Sequence, residues 1–479
     1  MTLPTIKLIL EKGASPILMS HLGRPRGVLY GSDLMKGQEK WSLLPVAKRL
    51  EYFLKCEDGD SAKPVLFAPD CMNAEKLVEA VQPGQVLVLE NLRYYSNEGS
   101  RNFEERKVMA QKLASYGDHF VSDAFGTSHR VSATMTGIPK VLRSGVAGLL
   151  MQKEIEAFST ILADPPRPLV AVVGGSKVSD KIQLFENLIT KIDKLLIGGS
   201  MAYTFLSSQG YEIGKSFSQA GQSFIDRDGN EVDMTELAGQ LIEKAQAKGV
   251  EVCLPIDHVC HTGFGSPRDG EDVIVTTDAN VPDNLMAMDI GPKTVEYYRS
   301  KIQECQAAIW NGPMGVFEIE TYSKGTYAIA EVIGNETQTN GLLSIVGGGD
   351  TASAAERSGH AGRMHHISTG GIPSLQLLEG KSLPGIRVLN NRPRQPLKRT
   401  RLLSESIELK ASSSSSEPET TAASSRASSS SSSGSTDEDD SKSLPVVVAT
   451  SSRNMSCCTF EEYDESAAKS KRIAVSPPT

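Results

Sequence analysis

Four times between Pro168 and Gly371, an apolar run of strand length ends in a cluster of glycines ahead of a helical pattern. Leu169 to Val173 leads into Gly174-Gly175, and Lys194 to Ser200 (KLLIGGS), Leu342 to Thr351 (LLSIVGGGDT) and His366 to Gly371 (HISTGG) repeat the arrangement. One such unit is most simply an ordinary strand-to-helix connection. Four in succession predict a parallel sheet whose carboxyl edge faces a large phosphorylated ligand, because glycine lets backbone approach an anion closely and first-turn amides favour negative charge. The helical pattern after Gly175, with apolar Val178, Ile182, Leu184 and Phe185, predicts that Lys177 and Lys181 stand one helical turn apart and add two positive charges.

Two familiar nucleotide signatures are excluded. Gly210 to Ser216 (GYEIGKS) has three residues between its glycines where a P-loop needs four, and no apolar strand enters it. None of the glycine clusters has the spacing and acidic residue of a dinucleotide fold. The chain has 479 residues, a net charge of −8 and 23% charged residues, so it is mildly acidic and offers no bulk basic surface for nucleic acid. Its seven cysteines are scattered, apart from Cys457-Cys458, as in a reducing compartment. There is no signal peptide and no apolar run long enough to span a bilayer, so a cytoplasmic protein, or one imported folded, is expected.

The first half reads as an α/β lobe. A helix over Leu3 to Lys12 feeds a strand at Ser15 to Ser20, and further strands fall at Val65 to Phe67, Val86 to Leu89 and His119 to Ser122. Helical patterns lie between them at Pro45 to Leu54, Met72 to Val81 and Phe103 to Tyr116. Basic residues cluster at three strand exits: SHLGRP with His21 and Arg24, LENLRY with Arg93, and DAFGTSHR with Arg130. Any one arginine is commonly a solvated charge, but three at equivalent edges of one sheet fit a small polyanion, since guanidinium pairs with phosphate and carboxylate. A basic pocket in one lobe and a glycine-rich site in the other predict phosphoryl transfer across a cleft.

The expected organisation is residues 1–148 as the first lobe, 149–163 as an interdomain helix and 164–381 as the second lobe. Ser216 to Asp233 should be a polar surface excursion. From about Arg394 the chain turns serine-rich and then acidic at Asp437 to Asp440, so 394–479 is expected to be a disordered tail. Its apolar piece, Leu444 to Ala449, is too short for a membrane anchor. His258, Cys260 and His261 lack a second cluster at zinc spacing, and strand packing is the expected role.

In this order the pieces resemble phosphoglycerate kinase from about Leu3 to Leu389, through MSHLGRP, LENLRY, SDAFGTSHR, GGSKVSDKI, IGGSMAYTF, DIGPKT, WNGPMGVFE, GGGDTASAAE and LEGKSLPG. HRVSATMTGIPKVL and IDHVCHT are most like the kinetoplastid branch, where Ser132 takes the place of a second histidine. The resemblance implies two Rossmann-like lobes with parallel sheets, joined by a helix and hinge, with 382–393 returning to the first lobe. It implies reversible transfer between 1,3-bisphosphoglycerate with ADP and 3-phosphoglycerate with ATP, using Mg²⁺, by a monomer of the cytosol or of a glycosome.

By position, His21, Leu22, Gly23, Arg24, Arg93 and Arg130 are implied to bind the acid substrate. Lys177, Gly370 and Gly371 are implied to serve the phosphoryl group in transfer. Lys181, Asn311, Glu318, Gly347, Gly348, Gly349, Asp350 and Thr351 are implied to bind nucleotide, with Asp350 also serving Mg²⁺.

Two departures carry further expectations. The family's opening strand, with its Arg-x-Asp-x-Asn loop and catalytic arginine, has no counterpart before Met1. An unpaired gap in the first sheet is therefore expected. So is very low turnover, since an arginine acting on a transferring phosphoryl group is worth ~10³–10⁵ in rate. The alternative function is accordingly a catalytically inactive relative that binds nucleotide or partners. Ile372-Pro373 replaces the family's usual Gly-Ala, removes one amide and resists a positive φ if one is required.

Overall fold

A computed structural model describes residues 1–25, 39–58, 63–225, 229–267, 273–389 and 445–449. The chain begins with α1 (Leu3–Glu11), β1 (Ser15–Met19), α2 (Leu44–Asp58), β2 (Leu66–Ala68), α3 (Glu75–Ala80) and β3 (Leu87–Leu89). It continues with α4 (Phe103–Ala114), β4 (His119–Ser122), α5 (Ile138–Leu142), β5 (Gly145–Ala147) and the long α6 (Leu149–Ala163). The second half supplies β6 (Leu169–Val173), α7 (Ile182–Leu188), β7 (Lys194–Ile197), α8 (Met201–Ser208), β8 (Ser223–Ile225), β9 (Glu231–Asp233), α9 (Met234–Ala247) and β10 (Glu251–Cys253). Then come β11 (His258–His261), β12 (Ile274–Val275), β13 (Met286–Ile290), α10 (Pro292–Gln303), β14 (Ala307–Asn311) and α11 (Lys324–Thr339). The last elements are β15 (Leu343–Val346), α12 (Gly349–Arg357), β16 (His366–Ile367), α13 (Gly371–Leu378), α14 (Pro384–Arg387) and β17 (Pro445–Ala449).

Among the described residues two six-stranded sheets are parallel throughout, in the orders β2-β3-β1-β17-β4-β5 and β10-β7-β6-β14-β15-β16. Unbroken apolar runs demand this, because a parallel strand is covered on both faces. In β6, Leu169, Ala171 and Val173 enter one core while Val170 and Val172 enter the other, and all five are fully buried. The first sheet divides alike, with Ile17 and Met19 on one side and Leu18 on the other. His258 is buried in β11 with Nδ1 3.2 Å from the Tyr203 hydroxyl and Nε2 3.0 Å from the Ala279 carbonyl, a packing role. The excursion after α8 contains the antiparallel pair β8–β9, and its residues 226–228 lie outside the described residues.

Two expectations need correction here. The tail is not uniformly without structure, and the first sheet has no gap. Pro445–Ala449 lies between β1 and β4, paired from Ser15↔Pro445 to Met19↔Ala449 on one side and from Val446↔His119 to Ala449↔Ser122 on the other. Averaged over a serine-rich tail, composition hides a short β-branched run that suits a central strand. Proline at its first position is compatible with the ladder. The serine and acidic runs of the tail lie outside the described residues.

A third correction concerns the helix after Gly175. It starts only at Ile182, so Lys177 lies in the preceding turn and Lys181 at the cap, and the two are not neighbours on a helix face. The Ile372-Pro373 departure proves harmless to the backbone: Arg143 is the only non-glycine with positive φ among the described residues, and Ile372 is exposed near the start of α13.

Candidate functional site

Parallel strands deliver their following loops to one edge, so the first sheet brings the loops after β1, β3 and β4 together. Asn91 fixes the first of these. Its side-chain oxygen accepts from Leu22 N (3.1 Å), and its amide donates to the carbonyls of Leu22 (2.7 Å) and Trp41 (2.9 Å). The Arg93 guanidinium donates to the Gly23 carbonyl, which places that arginine beside the Arg24 loop. Gly23 has φ +57°, and a Cβ there would run into the Trp41 ring.

Glu98 ties in the third loop. Its buried carboxylate accepts from His21 Nε2 (2.8 Å), Ser132 Oγ (2.7 Å), Thr134 N (3.0 Å) and Thr134 Oγ1 (2.5 Å). His21 is 10% exposed, and its Nδ1 is buried without a hydrogen-bond partner among the described residues. An orphaned buried polar atom of this kind is what a bound ligand satisfies. Arg24 and Arg130 are exposed, and Arg130 Nε sits 3.3 Å from His129 Nε2.

On the second sheet the glycine clusters divide into two kinds. A Cβ on Gly174 would lie 2.0 Å from the Pro313 carbonyl oxygen, one on Gly312 would lie 2.1 Å from the Gly174 oxygen, and one on Gly198 would strike Met314. These glycines answer to backbone packing between strand exits, a structural demand rather than an anion. Gly347, Gly348 and Gly349 differ. They lead from β15 into α12, Gly348 has φ +99°, and the Cβ position of Gly349 faces open space. That nine-residue helix presents free first-turn amides and the exposed Asp350.

Lys181 Nζ donates to the Asn311 carbonyl (2.8 Å) and side-chain oxygen (2.6 Å), the Asn311 amide donates to Gly347 O (2.9 Å), and Gly312 N donates to Thr351 Oγ1 (2.7 Å). The exits of β6, β14 and β15 are thereby locked as one unit. Desolvation pulls Lys181 down to about 8, opposed by the charges of Asp350 and Asp180. Lys177 and Glu318 are exposed on the connections after β6 and β14.

The two sheets meet through the glycines after β16. A Cβ on Gly370 would fall 2.5 Å from the ring of Phe125, which belongs to the loop after β4. Glu154 of α6 accepts from Thr369 N (2.6 Å), Thr369 Oγ1 (2.7 Å) and His366 Nε2 (2.8 Å), and so fixes the Thr369-Gly370-Gly371 turn to the connecting helix. Gly385 N donates to Ser128 O (2.8 Å), so α14 closes onto the first sheet's loops.

Among the described residues no group of three or more His, Cys, Asp or Glu side chains could cage a metal. One exposed carboxylate, Asp350, at a helix start suits Mg²⁺, which is commonly held by one or two carboxylates with waters and substrate phosphates.

Sequence reasoning missed Asn91, Glu98, Phe125 and Glu154 as organising residues. Glu154 left a signal: Met151, Glu154, Phe158 and Ile161 share the buried stripe of α6, so a carboxylate interrupts an apolar face. Glu98 left none, since SNEGS reads as an ordinary polar turn.

Two parallel-sheet lobes, one offering basic loops and the other a glycine-rich helix start, define a two-lobed phosphotransferase. Residues 1–381 match the family model described as phosphoglycerate kinase. The chain belongs to the phosphoglycerate kinase family. It is 55% identical over 398 residues to the cytosolic phosphoglycerate kinase of Trypanosoma congolense, covering 81% of this chain and 90% of that one. It is 53% identical over 396 residues to the glycosomal enzyme of Crithidia fasciculata, covering 81% and 82%. Among solved structures, the phosphoglycerate kinase of Coxiella burnetii superposes with a TM-score of 0.68 at 37% identity, covering 82% of this chain and 90% of that one. No helix among the described residues is long and apolar enough to cross a membrane.

Proposed function

We propose that this chain catalyses reversible phosphoryl transfer between 1,3-bisphosphoglycerate and ADP, giving 3-phosphoglycerate and ATP. The observation that carries the reading is the meeting of the two strand-exit clusters at Phe125 and Gly370, which sets a basic pocket against a glycine-rich helix start. His21, Leu22, Gly23, Arg24, Arg93 and Arg130 bind the acid. The Gly347 to Thr351 turn, Lys181, Asn311 and Glu318 bind the nucleotide.

In the forward direction an oxygen of the ADP β-phosphate attacks the acyl-phosphate phosphorus, and the bond from phosphorus to the carboxylate oxygen breaks. The carboxylate leaves with the electron pair, so no proton transfer and no covalent enzyme intermediate are needed. Lys177 and the amides of Gly370 and Gly371 neutralise charge on the group in transfer, and lobe closure excludes water. Mg²⁺ at Asp350 supplies charge neutralisation on the nucleotide phosphates when bound.

Both sets of residues come from one polypeptide, which supports action as a monomer. The nearness to cytosolic and glycosomal relatives alike supports work in either compartment. A coupled assay with 3-phosphoglycerate, ATP and Mg²⁺ on the full chain tests the proposal. Slow turnover, in keeping with the arginine that has no counterpart before Met1, and its abolition by Lys177→Met are the expected results. Nucleotide binding with no turnover would instead favour the inactive, binding relative.

A further inference from the structure

We propose that the channel between β1 and β4 is a binding site for an apolar strand, that the chain's own Pro445–Ala449 fills it as a tethered ligand, and that its occupancy holds the anion-binding loops at their working spacing. The last clause rests on the function proposed above; the first two do not.

The slot is lined by backbone on both sides. Each residue from Val446 to Ala449 is level with one residue of β1 and one of β4, in parallel register throughout. Val448 is fully buried, in one cluster with Ile6, Leu18, Leu43, Val88 and Val121. Neighbouring strands lie about 4.8 Å apart, so an empty slot would separate β1 and β4 by roughly twice that and leave two rows of peptide groups unpaired. The sheet would then divide into β2-β3-β1 and β4-β5.

The division falls between functional loops. Ala449 is level with Met19 and Ser122, the residues after which the His21–Arg24 loop and the Asp123–Arg130 loop begin. The strand therefore acts as the spacer between His21 and Arg130, although it belongs to a distant part of the chain.

About 55 residues of sequence separate Leu389 from Pro445, and covalent attachment through a segment of that length gives an effective concentration near the millimolar range. Self-capture thus outcompetes a strand from a second copy at ordinary protein concentrations. Three valines in a row at 446–448 give this segment the β-branched composition that suits a central strand.

Hydrogen exchange on the full chain tests the site directly. The amides of 446–449 are expected to exchange on the order of 100-fold more slowly than those of a free peptide of the same sequence. Exchange at the rate of an unstructured peptide would overturn the proposal.

In Val448→Asp, faster exchange is expected in β1 and β4 but not in β6, together with weaker 3-phosphoglycerate binding and unchanged ATP binding, both read by calorimetry. Unchanged exchange in β1 and β4 would overturn it. If that variant does not fold, Val448→Ala and the wild-type exchange pattern carry the same test. A dimer by light scattering whose protection at 446–449 vanishes on dilution would also overturn it, because the occupant would then be a second copy. Protected amides in a chain without turnover would sink the kinase reading and leave the strand site standing.

Discussion

Glu98 accepts a hydrogen bond from His21 Nε2 at 2.8 Å across 77 positions of sequence, and through Ser132 and Thr134 the same carboxylate holds the loop that follows Arg130. Three strand exits that carry the pocket's cations are thus fastened to one buried anion. Removing such an acceptor leaves several donors unsatisfied together.

Glu98→Gln is expected to cost about 1–3 kcal/mol of stability, since a neutral amide cannot accept from all four donors. It should raise KM for 3-phosphoglycerate while leaving KM for ATP nearly unchanged. Denaturant melts and initial-rate kinetics with each substrate varied would check this. An equal change in both KM values would contradict the assignment of Glu98 to the acid pocket.

Glu154 fastens the Thr369–Gly371 turn to α6, so its loss acts on the group in transfer more than on either ground-state ligand. Glu154→Ala, which strands His366 Nε2 and Thr369 N, is expected to lower stability by about 3–5 kcal/mol and to reduce kcat more than it raises either KM. Thermal unfolding with full Michaelis analysis of the surviving enzyme is the measurement.

Gly370→Ala puts a methyl 2.5 Å from the Phe125 ring and forces the turn away from the opposite lobe. A displacement of about 1 Å at reacting groups costs on the order of 100-fold in rate. Phe125→Leu in the same chain opens space and should restore part of the loss, whereas a purely local defect at residue 370 would not respond.

Lys181 titrates near 8 in the ligand-free fold against an ordinary 10.5, because its ammonium is desolvated. Below pH 8 the lysine is charged both folded and unfolded, and the fold bears the full desolvation cost. Between about 8 and 10.5 the unfolded chain holds more protons, so this group's contribution to stability rises with pH across that window.

Nucleotide phosphates favour the ammonium, so ATP binding at pH 8.5 is expected to take up protons. Calorimetry in two buffers of different ionisation enthalpy reads the uptake, and Lys181→Arg should abolish it.

The local elements were legible because their patterns are local. The apolar run Leu169 to Val173 is β6, and His119 to Ser122 is β4, with the boundaries its sequence suggests. The basic strand exits were legible too, since parallel strands deliver their loops to one edge. Misreadings arose where distant chain decides. Gly174 looks like a phosphate glycine, yet it is required by the Pro313 carbonyl of a distant strand exit. Lys181 looks like one of two helix-face cations, yet Asn311, 130 positions away, determines where its charge sits.

By itself, then, the amino-acid order determined the alternation of strands and helices, the parallel character of both sheets and the family, because periodicity and turn chemistry act over a few residues. Only tertiary structure decided that Val448 would fill the centre of a sheet begun over 400 residues earlier, and that Glu98 and Glu154 would organise the site. A central slot and a buried carboxylate's partners are created by long-range packing, and no local pattern encodes which distant segment will satisfy them.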